Sequence, residues 1–287
     1  MAEKKTDIET GVETTGHSWD GIEELNNPLP RWWLWTLYAC IVWAIGYTIA
    51  YPAWPMISGA TSGLLGYSTR AEVAKDIATH NALNSGLESD LLAVDLNALP
   101  PTDDLHRYAA ARGASVFRAQ CSQCHGAGAA GAKGYPNLLD DDWLWGGDID
   151  NIVATVTHGI RNETDLDARY SEMPAFDDIL EDDQIAGVVE YVVSLSSPAH
   201  DAPLAAQGAE VFADNCSSCH GDAALGDRDL GAPNLADAIW LYGGDRATLE
   251  HTVRNARYGV MPAWGQRLSD ADVRAVSVYV HSLGGGE

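Results

Sequence analysis

The sequence predicts a mainly α-helical protein, with one N-terminal transmembrane helix followed by two tandem domains of similar sequence. Three observations support this. An uncharged stretch of 38 residues interrupts an otherwise highly charged chain. A segment of about 90 residues occurs twice. Apolar residues at helical spacing close each copy, and no alternating run in either copy indicates a sheet. The length of 287 residues is enough for about two domains.

The chain is strongly acidic. Asp and Glu number 41 against 17 Lys and Arg, a net charge of −24. This balance disfavours a nucleic-acid partner, because phosphate binding needs a cationic surface. Residues 70–287 alone carry a net charge of −20. Such a surface can attract a basic protein partner, although it would also serve solubility.

Residues 32–51 predict a membrane span. They read WWLWTLYACIVWAIGYTIAY, which is about the length a helix needs to cross the hydrocarbon core. Trp and Tyr cluster at both ends, as they do at membrane interfaces, and prolines flank the segment. Residues 1–31 are net acidic and the apolar run is longer than the core of a signal peptide, so we expect an uncleaved anchor over 32–56. Residues 1–31 then form a leader.

The remainder of the chain contains an internal duplication. GASVFRAQCSQCHG begins at Gly113 and GAEVFADNCSSCHG at Gly208. Pro-Asn-Leu, an aromatic-Gly-Gly-Asp run, Met-Pro-Ala and Tyr-Val then recur in the same order, with about nine extra residues before Met-Pro in the first copy. We therefore predict domains over 106–197 and 207–287, joined by a linker over 198–206. The connecting region 57–105 has no motif that indicates a role.

Local patterns predict helices at both ends of each copy. Those before the cysteines are expected over 108–120 and 207–215, and those that close the copies over 181–195 and 270–283. The middle parts are rich in Gly, Pro and Asp, and we interpret them as loops.

Each copy carries Cys-x-x-Cys-His, the attachment motif of c-type haem. Two thiols on one side of a helical turn can form thioethers with both vinyl groups of one porphyrin, and the next residue presents its imidazole to the iron. A zinc ribbon would need its cysteine pairs about 15–20 residues apart, whereas 91 residues separate Cys124 from Cys216. The predicted covalent positions are Cys121, Cys124, Cys216 and Cys219, and the first iron ligands are His125 and His220.

The methionines supply a second ligand for each iron. The chain has four, of which Met173 and Met261 occupy equivalent places, 48 and 41 residues after the motif histidines. A thioether opposite His is common in cytochromes c. Each Met could bind the haem of its own copy, or the copies could exchange them, because duplicated elements swap at low cost. His158 stays an alternative ligand for the first copy, Arg161 and Arg257 are candidate partners of the haem propionates, and no catalytic residue is predicted.

The two copies resemble class I cytochrome c domains. In that family a glycine and an aromatic residue on the first helix meet an aromatic residue on the last helix. The resemblance implies a helical fold around each haem. The corresponding residues are Gly113 and Phe117 with Tyr191 in the first copy, and Gly208 and Phe212 with Tyr279 in the second.

The leader narrows the resemblance. Residues 17–24, HSWDGIEE, and 26–33, NNPLPRWW, are similar to the segment ahead of the anchor in the dihaem c subunit of cbb-type haem–copper oxidases. This implies two covalently bound haem c groups and a chain that is no enzyme alone. It would relay single electrons from a cytochrome c donor to the monohaem and haem–copper subunits, which reduce oxygen to water with proton pumping.

The same resemblance implies a single-pass protein of the bacterial inner membrane, with a cytoplasmic N-terminus and periplasmic haem domains. A free-standing dihaem electron carrier and a dihaem peroxidase are the alternatives, and the peroxidase would need an iron with an open face. The sequence does not identify the donor, the docking surface, or the potentials and order of the two haems.

Overall fold

The computed structural model describes residues 5–198 and 201–287. It divides into two compact units, Met1–Leu83 and Asn84–Glu287.

The first unit contains a β-hairpin and the apolar helix. Strands β1 (Thr14–Trp19) and β2 (Ile22–Leu25) pair antiparallel. Asp20 and Gly21 join them with φ angles of 52° and 85°, the conformation for which Asp-Gly is favoured in hairpin turns. The sequence analysis assigned no secondary structure to the leader and did not predict this hairpin.

Helix α1 (Arg31–Ala50) begins one residue before the predicted span and ends one residue earlier than predicted. It buries none of its residues within the described structure. Among the described residues it is the one helix long and apolar enough to cross a membrane. A short ribbon follows, with strands β3 (Pro55–Met56) and β4 (Gly59–Ala60).

The connecting region contains helix α2 (Thr69–Ala93) and a 3₁₀ turn over Leu96–Ala98. Leu91 is fully buried in a cluster with Ala109, Ile149 and Val278. The guanidinium of Arg274 donates to the carbonyls of Leu91, at 2.8 Å, and of Val94. The part of this region after Leu83 thus contributes to the core of the second unit, a role that the sequence did not indicate.

Eight α-helices in the described part of the second unit carry the two copies. Helices α3 and α7 end at the first cysteine of each motif, the first through a π-helical turn over Phe117–Cys121. The motifs themselves form the single turns α4 and α8. The bounds are α3 Asp104–Val116, α4 Ser122–His125, α5 Ile149–His158, α6 Asp182–Ser196, α7 Ala202–Asn215, α8 Ser217–His220 and α9 Arg246–Asn255, with α10 Asp270–His281 closing the second copy.

Helices α5 and α9 lie where the sequence analysis expected loops. Each follows an aromatic-Gly-Gly-Asp run, and the aspartate caps the helix. Asp148 accepts from the Asn151 amide and Asp245 from the Thr248 amide, both at 3.0 Å. Such caps are a strong signal for the start of a helix. The sequence analysis interpreted these segments as loops because glycines precede each aspartate.

The two copies exchange their C-terminal halves. Helix α3 packs on α10 rather than on α6, and α6 packs on α7. We call the first lobe residues 104–158 with 261–283, and the second lobe residues 173–196 with 202–255. Each lobe has its own core, so the predicted division at 198–206 separates the repeats in the chain while the packing joins halves of different copies.

Two glycines permit these helix crossings. A Cβ atom at Gly113 would lie 2.0 Å from the carbonyl oxygen of Ala275, and one at Gly208 would lie 1.9 Å from that of Gly187. Each pair joins two copies, which shows that the exchange uses the same contact twice.

Candidate haem sites

Both attachment motifs lie on a single helical turn that ends at a glycine. Gly126 and Gly221 follow the histidines with φ angles of 80° and 74° and reverse the chain there. Cys121 and Cys216 are partly buried, whereas Cys124 and Cys219 are exposed. No disulfide joins any of these four cysteines. The turn therefore presents each thiol pair together, as double thioether attachment requires.

Burial keeps the inner cysteines uncharged. It raises the pKa of Cys121 and of Cys216 to about 11, with a further contribution from the neighbouring motif cysteine in each case. Each inner sulfur thus packs, uncharged, against the apolar core of its lobe, as a thioether sulfur would.

The motif histidines are held in the same way in both copies. His125 Nδ1 lies 3.0 Å from the Pro136 carbonyl oxygen, and His220 Nδ1 lies 3.1 Å from that of Pro233. A carbonyl can only accept, so Nδ1 carries the proton and Nε2 keeps its lone pair for a metal. Burial lowers the pKa of both imidazoles, which favours this neutral form.

Each methionine lies in the core of the lobe that contains the other copy's cysteines. Met173 packs in the cluster of Cys216 and Leu235. Met261 packs in the cluster of Cys121 and Leu138. The structure therefore brings both methionines to a motif, but to that of the other copy. At each site the inner cysteine and the methionine pack on one apolar core, and the second thiol and the imidazole lie on the adjoining helical turn; this donor set fits a haem c.

The aromatic contacts show the same exchange and correct one expectation. Phe117 meets Tyr279, with ring centroids 5.5 Å apart, and Phe212 meets Tyr191 at 5.1 Å. The expected pairing of Phe117 with Tyr191 was wrong. The residue types were correct, and the partners are exchanged because α6 and α10 trade places.

The equivalent arginines of the two copies are Arg169 and Arg257, each four residues before its methionine. Arg169 lies over the Trp145 ring and donates to the Thr155 hydroxyl at 3.1 Å. Arg257 lies over the Tyr242 ring and donates to the Thr252 hydroxyl. Sequence reasoning missed Arg169, although Ala-Arg-Tyr precedes both methionine segments and could have identified it.

The other two candidates have different surroundings. His158 Nδ1 lies 3.3 Å from the Asp165 carboxylate, so an acidic partner occupies one of its nitrogens. Arg161 donates to two backbone carbonyls, those of Ser171 and Gly259.

Comparisons with known proteins match this organisation. Residues 11–58 match the model described as the N-terminal domain of cytochrome oxidase-cbb3, FixP. Residues 108–192 and 203–280 match the model described as cytochrome c oxidase, cbb3-type, subunit III. The chain belongs to the family of cbb3-type cytochrome c oxidase subunit III. These matches confirm the resemblance to the dihaem c subunit of cbb-type oxidases. They also confirm the predicted fold class, an apolar N-terminal helix followed by two tandem cytochrome c domains.

Curated relatives in this family are similar over almost their whole length. A cbb3-type cytochrome c oxidase subunit CcoP of Cereibacter sphaeroides is 63% identical over 276 residues, which cover 96% of this chain and 95% of the relative. A subunit FixP of Sinorhizobium medicae is 51% identical, with complete coverage of both chains. A subunit CcoP of Rhodobacter capsulatus is 54% identical, with 99% of each covered.

In this member of the subunit III family the two lobes meet through a reciprocal contact. The Trp145 ring lies against Gly231, and the Tyr242 ring lies against Gly134. The Gly134 amide also donates to the Leu241 carbonyl at 2.8 Å. Gly134 and Gly231 each lie two residues before the proline whose carbonyl holds a motif histidine. The histidine-bearing loops of both copies therefore form the contact between the lobes.

Proposed function

We propose that this chain is the dihaem electron-transfer subunit of a cbb3-type oxidase. It passes single electrons from a cytochrome c donor to a monohaem c subunit and on to the haem–copper subunit, which reduces oxygen to water with proton pumping. The duplicated donor set carries this proposal, because one chain holds two complete sites that meet through their histidine loops. When bound, a haem c supplies a one-electron redox couple at each site.

The residues of each site have distinct roles. The first site uses Cys121 and Cys124 for covalent attachment, with His125 and Met261 as axial ligands. The second uses Cys216 and Cys219, with His220 and Met173 as axial ligands. The support is the packing of each methionine with the other copy's motif. With a histidine and a methionine both bound, a haem iron would have no free ligand position, which argues against a peroxidase.

We further propose that the chain spans the bacterial inner membrane once, with its N-terminus in the cytoplasm and both haem lobes in the periplasm. Helix α1 supplies the span. The orientation agrees with covalent haem attachment outside the cytoplasm. The net charge of −20 over residues 70–287 suits a cationic donor, with binding that weakens as salt rises.

Purification of the tagged chain in mild detergent tests the function. We expect it to co-purify with b-type haem, copper and cytochrome c-dependent oxygen uptake. A chain that elutes alone, with c-type haem and no oxygen uptake, would instead identify a free-standing carrier.

A second experiment tests the exchange of methionines. Cys121→Ala combined with Cys124→Ala leaves only the second haem. In that background we expect Met173→Leu to change the spectrum and lower the potential of the remaining haem, and Met261→Leu to leave both unchanged. The opposite pattern would assign each methionine to the motif of its own copy.

A further inference from the structure

Arg161 lies where the two exchanged parts of the chain cross. The first crossover segment, residues 170–172, leads from Arg169, whose side chain contacts Trp145 and Thr155 of the first lobe, to Met173 in the second lobe. The second crossover segment, residues 258–260, leads from Arg257 to Met261 in the opposite direction. One guanidinium contacts both segments: Nε donates to the Ser171 carbonyl at 2.6 Å, and Nη1 donates to the Gly259 carbonyl at 3.0 Å.

The two accepting carbonyls are equivalent positions of the duplication. Ser171 stands two residues before Met173, and Gly259 stands two residues before Met261. The guanidinium carbon also lies 5.6 Å from the centroid of the Tyr258 ring, in the second crossover segment. A planar guanidinium has donors on separate edges and can bridge two acceptors in a fixed geometry, which a lysine ammonium does not reproduce.

The surrounding backbone makes the two methionines unequal. Ile160, next to Arg161, exchanges two backbone hydrogen bonds with Met261, both at 3.0 Å. Met173 has no corresponding backbone pair within the described residues. The Met261 segment is therefore held at the methionine itself by Ile160 as well as by Arg161. The Met173 segment is held by Arg161 before the methionine, and its next backbone contacts are those of the Phe176 and Asp177 amides, three and four residues after it.

The extra residues of the first copy also contact the chain shortly after Met261. The Gln266 side-chain amide donates to the Thr164 carbonyl at 2.8 Å. The Arg161 amide donates to the Arg169 carbonyl at 2.7 Å, which closes this loop on itself. In the duplication His158 corresponds to Asn255 and Ala168 to Ala256, so the extra residues of the first copy are 159–167 and include Arg161.

We propose that Arg161 is a positioning residue for both axial methionines, and that it acts more strongly on Met173 than on Met261. This inference rests on the proposed methionine ligation. It assigns to the first copy's insertion a role in the redox properties of both haems, although the side chain itself belongs to neither ligand set.

The test is Arg161→Gln in the full haem-loaded chain, with Arg107→Gln as the matched control at an exposed helix surface. The readouts are the weak red absorption band of ferric methionine-bound haem and the midpoint potential of each haem. Each site is measured alone, in the Cys121→Ala/Cys124→Ala and the Cys216→Ala/Cys219→Ala backgrounds. We expect the fraction of iron without methionine to rise roughly tenfold at the second site, the size of effect that follows from losing one charged hydrogen bond.

The first site should change less, and Arg107→Gln should change neither. Unchanged bands and potentials at both sites in Arg161→Gln would overturn the inference while leaving the ligand assignment intact. Absence of the methionine band from the unsubstituted chain would overturn the ligand assignment itself. If Arg161→Gln yields no holoprotein, Arg161→Lys keeps the charge and loses the bridge. Reduced methionine ligation at the second site in that variant supports the proposal, and full ligation at both sites overturns it.

Discussion

The two lobes have equivalent donor sets. They differ in one contact that their closing helices, α6 and α10, make with the helix that follows the Gly-Gly-Asp run. Glu190 on α6 is fully buried and pairs with Arg246 at the start of α9. The equivalent positions in the first lobe are Val278 and Ile149, both buried and apolar. One duplicated contact is therefore an ion pair and the other a hydrophobic contact.

The difference follows from the residues that pack against each of these two contacts. Leu91 of the connecting region packs on Ile149 and Val278 in the first lobe, and an apolar side chain needs an apolar surface. In the second lobe the Asp201 amide donates to Glu190 at 3.0 Å, so the start of the second copy supplies a polar partner. A buried ion pair and a well-packed apolar contact can have similar stability. The two copies thus have the same residue types where side chains contribute to a donor set, and different residue types at these more distant positions.

The largest expected effect comes from a contact that both lobes share. Gly113→Val places a side chain within the closed α3–α10 crossing and should destabilise the first lobe by about 3 kcal/mol or more. Gly86→Ala is the control, because a Cβ atom there meets nothing within 4 Å. Haem content at Cys121 and thermal unfolding measure the outcome. Normal haem content in Gly113→Val would show that the crossing can open without cost.

Replacement of the Glu190–Arg246 pair by the apolar pair of the first lobe tests whether the two contacts are interchangeable. Arg246→Ile alone removes the cation that pairs with the buried Glu190 carboxylate; because the Arg246 side chain is 43% exposed, the cost is discounted for solvent to about 2–4 kcal/mol. Adding Glu190→Val recreates the pair of the first lobe and should recover most of that loss, since the double variant buries no charge.

Urea unfolding of both variants measures this coupling. A double variant as unstable as Arg246→Ile would show that Glu190 is needed for its other contacts, such as that with the Asp201 amide.

Removal of the covering side chain should affect the first lobe selectively. Leu91→Ala creates a cavity beside Val278 and should cost about 2–4 kcal/mol. Leu83→Ala, at a side chain that is 80% exposed on the same helix, is the matched control. Hydrogen exchange should show faster opening of α3 and α10 with α6 and α7 unchanged. Equal loss of protection in all four helices would mean that the lobes unfold as one unit.

The smallest effect concerns a cavity between the copies, where Asp142 faces the acidic Asp237 near Arg228. Burial, then repulsion from Asp237, raises the pKa of Asp142 to about 6 from 3.8. The folded protein therefore binds this proton more tightly than the unfolded chain, and stability falls as pH rises from about 4 to about 6. After allowance for solvent screening the change is on the order of 1 kcal/mol.

Asp142→Asn should remove this slope, and Asp141→Asn at the exposed neighbour should not. Urea midpoints across the acid range measure both variants. A slope unchanged in Asp142→Asn would assign it to other carboxylates. The counterpart of Asp142 in the second copy is Ile239, which lines the same cavity, so the titration belongs to one copy only.

Local chemistry made much of the site predictable from sequence. A motif of five residues defines each histidine and cysteine pair, and the scarcity of methionines isolates Met173 and Met261. The anchor was predictable because length and apolarity alone define a span. The outer helices followed from the spacing of their apolar residues.

The exchange was not predictable, because α6 and α10 carry equivalent residues and either could close either lobe. Tyr191 and Tyr279 fit the same contact, so sequence pattern could not decide between them. The partners follow instead from the crossover segments and the linker, whose paths depend on the packing of the whole unit. The β-hairpin was predictable in principle from Asp20-Gly21, and α5 from the Asp148 cap, but both signals lay in segments that were interpreted as polar leader or loop.

The crossing of the two copies also affects the order in which the chain can mature. Arg112 and Asp272 pair by their side chains across 160 residues of sequence, so α10 is synthesised long after α3. The first attachment motif is therefore synthesised long before the helix and methionine that complete its lobe, whereas the second lobe can close as soon as its own motif and α9 emerge. Long-range contacts of this kind form late and slowly. Until α10 is synthesised, the first attachment motif therefore lacks the helix and the methionine that complete its lobe.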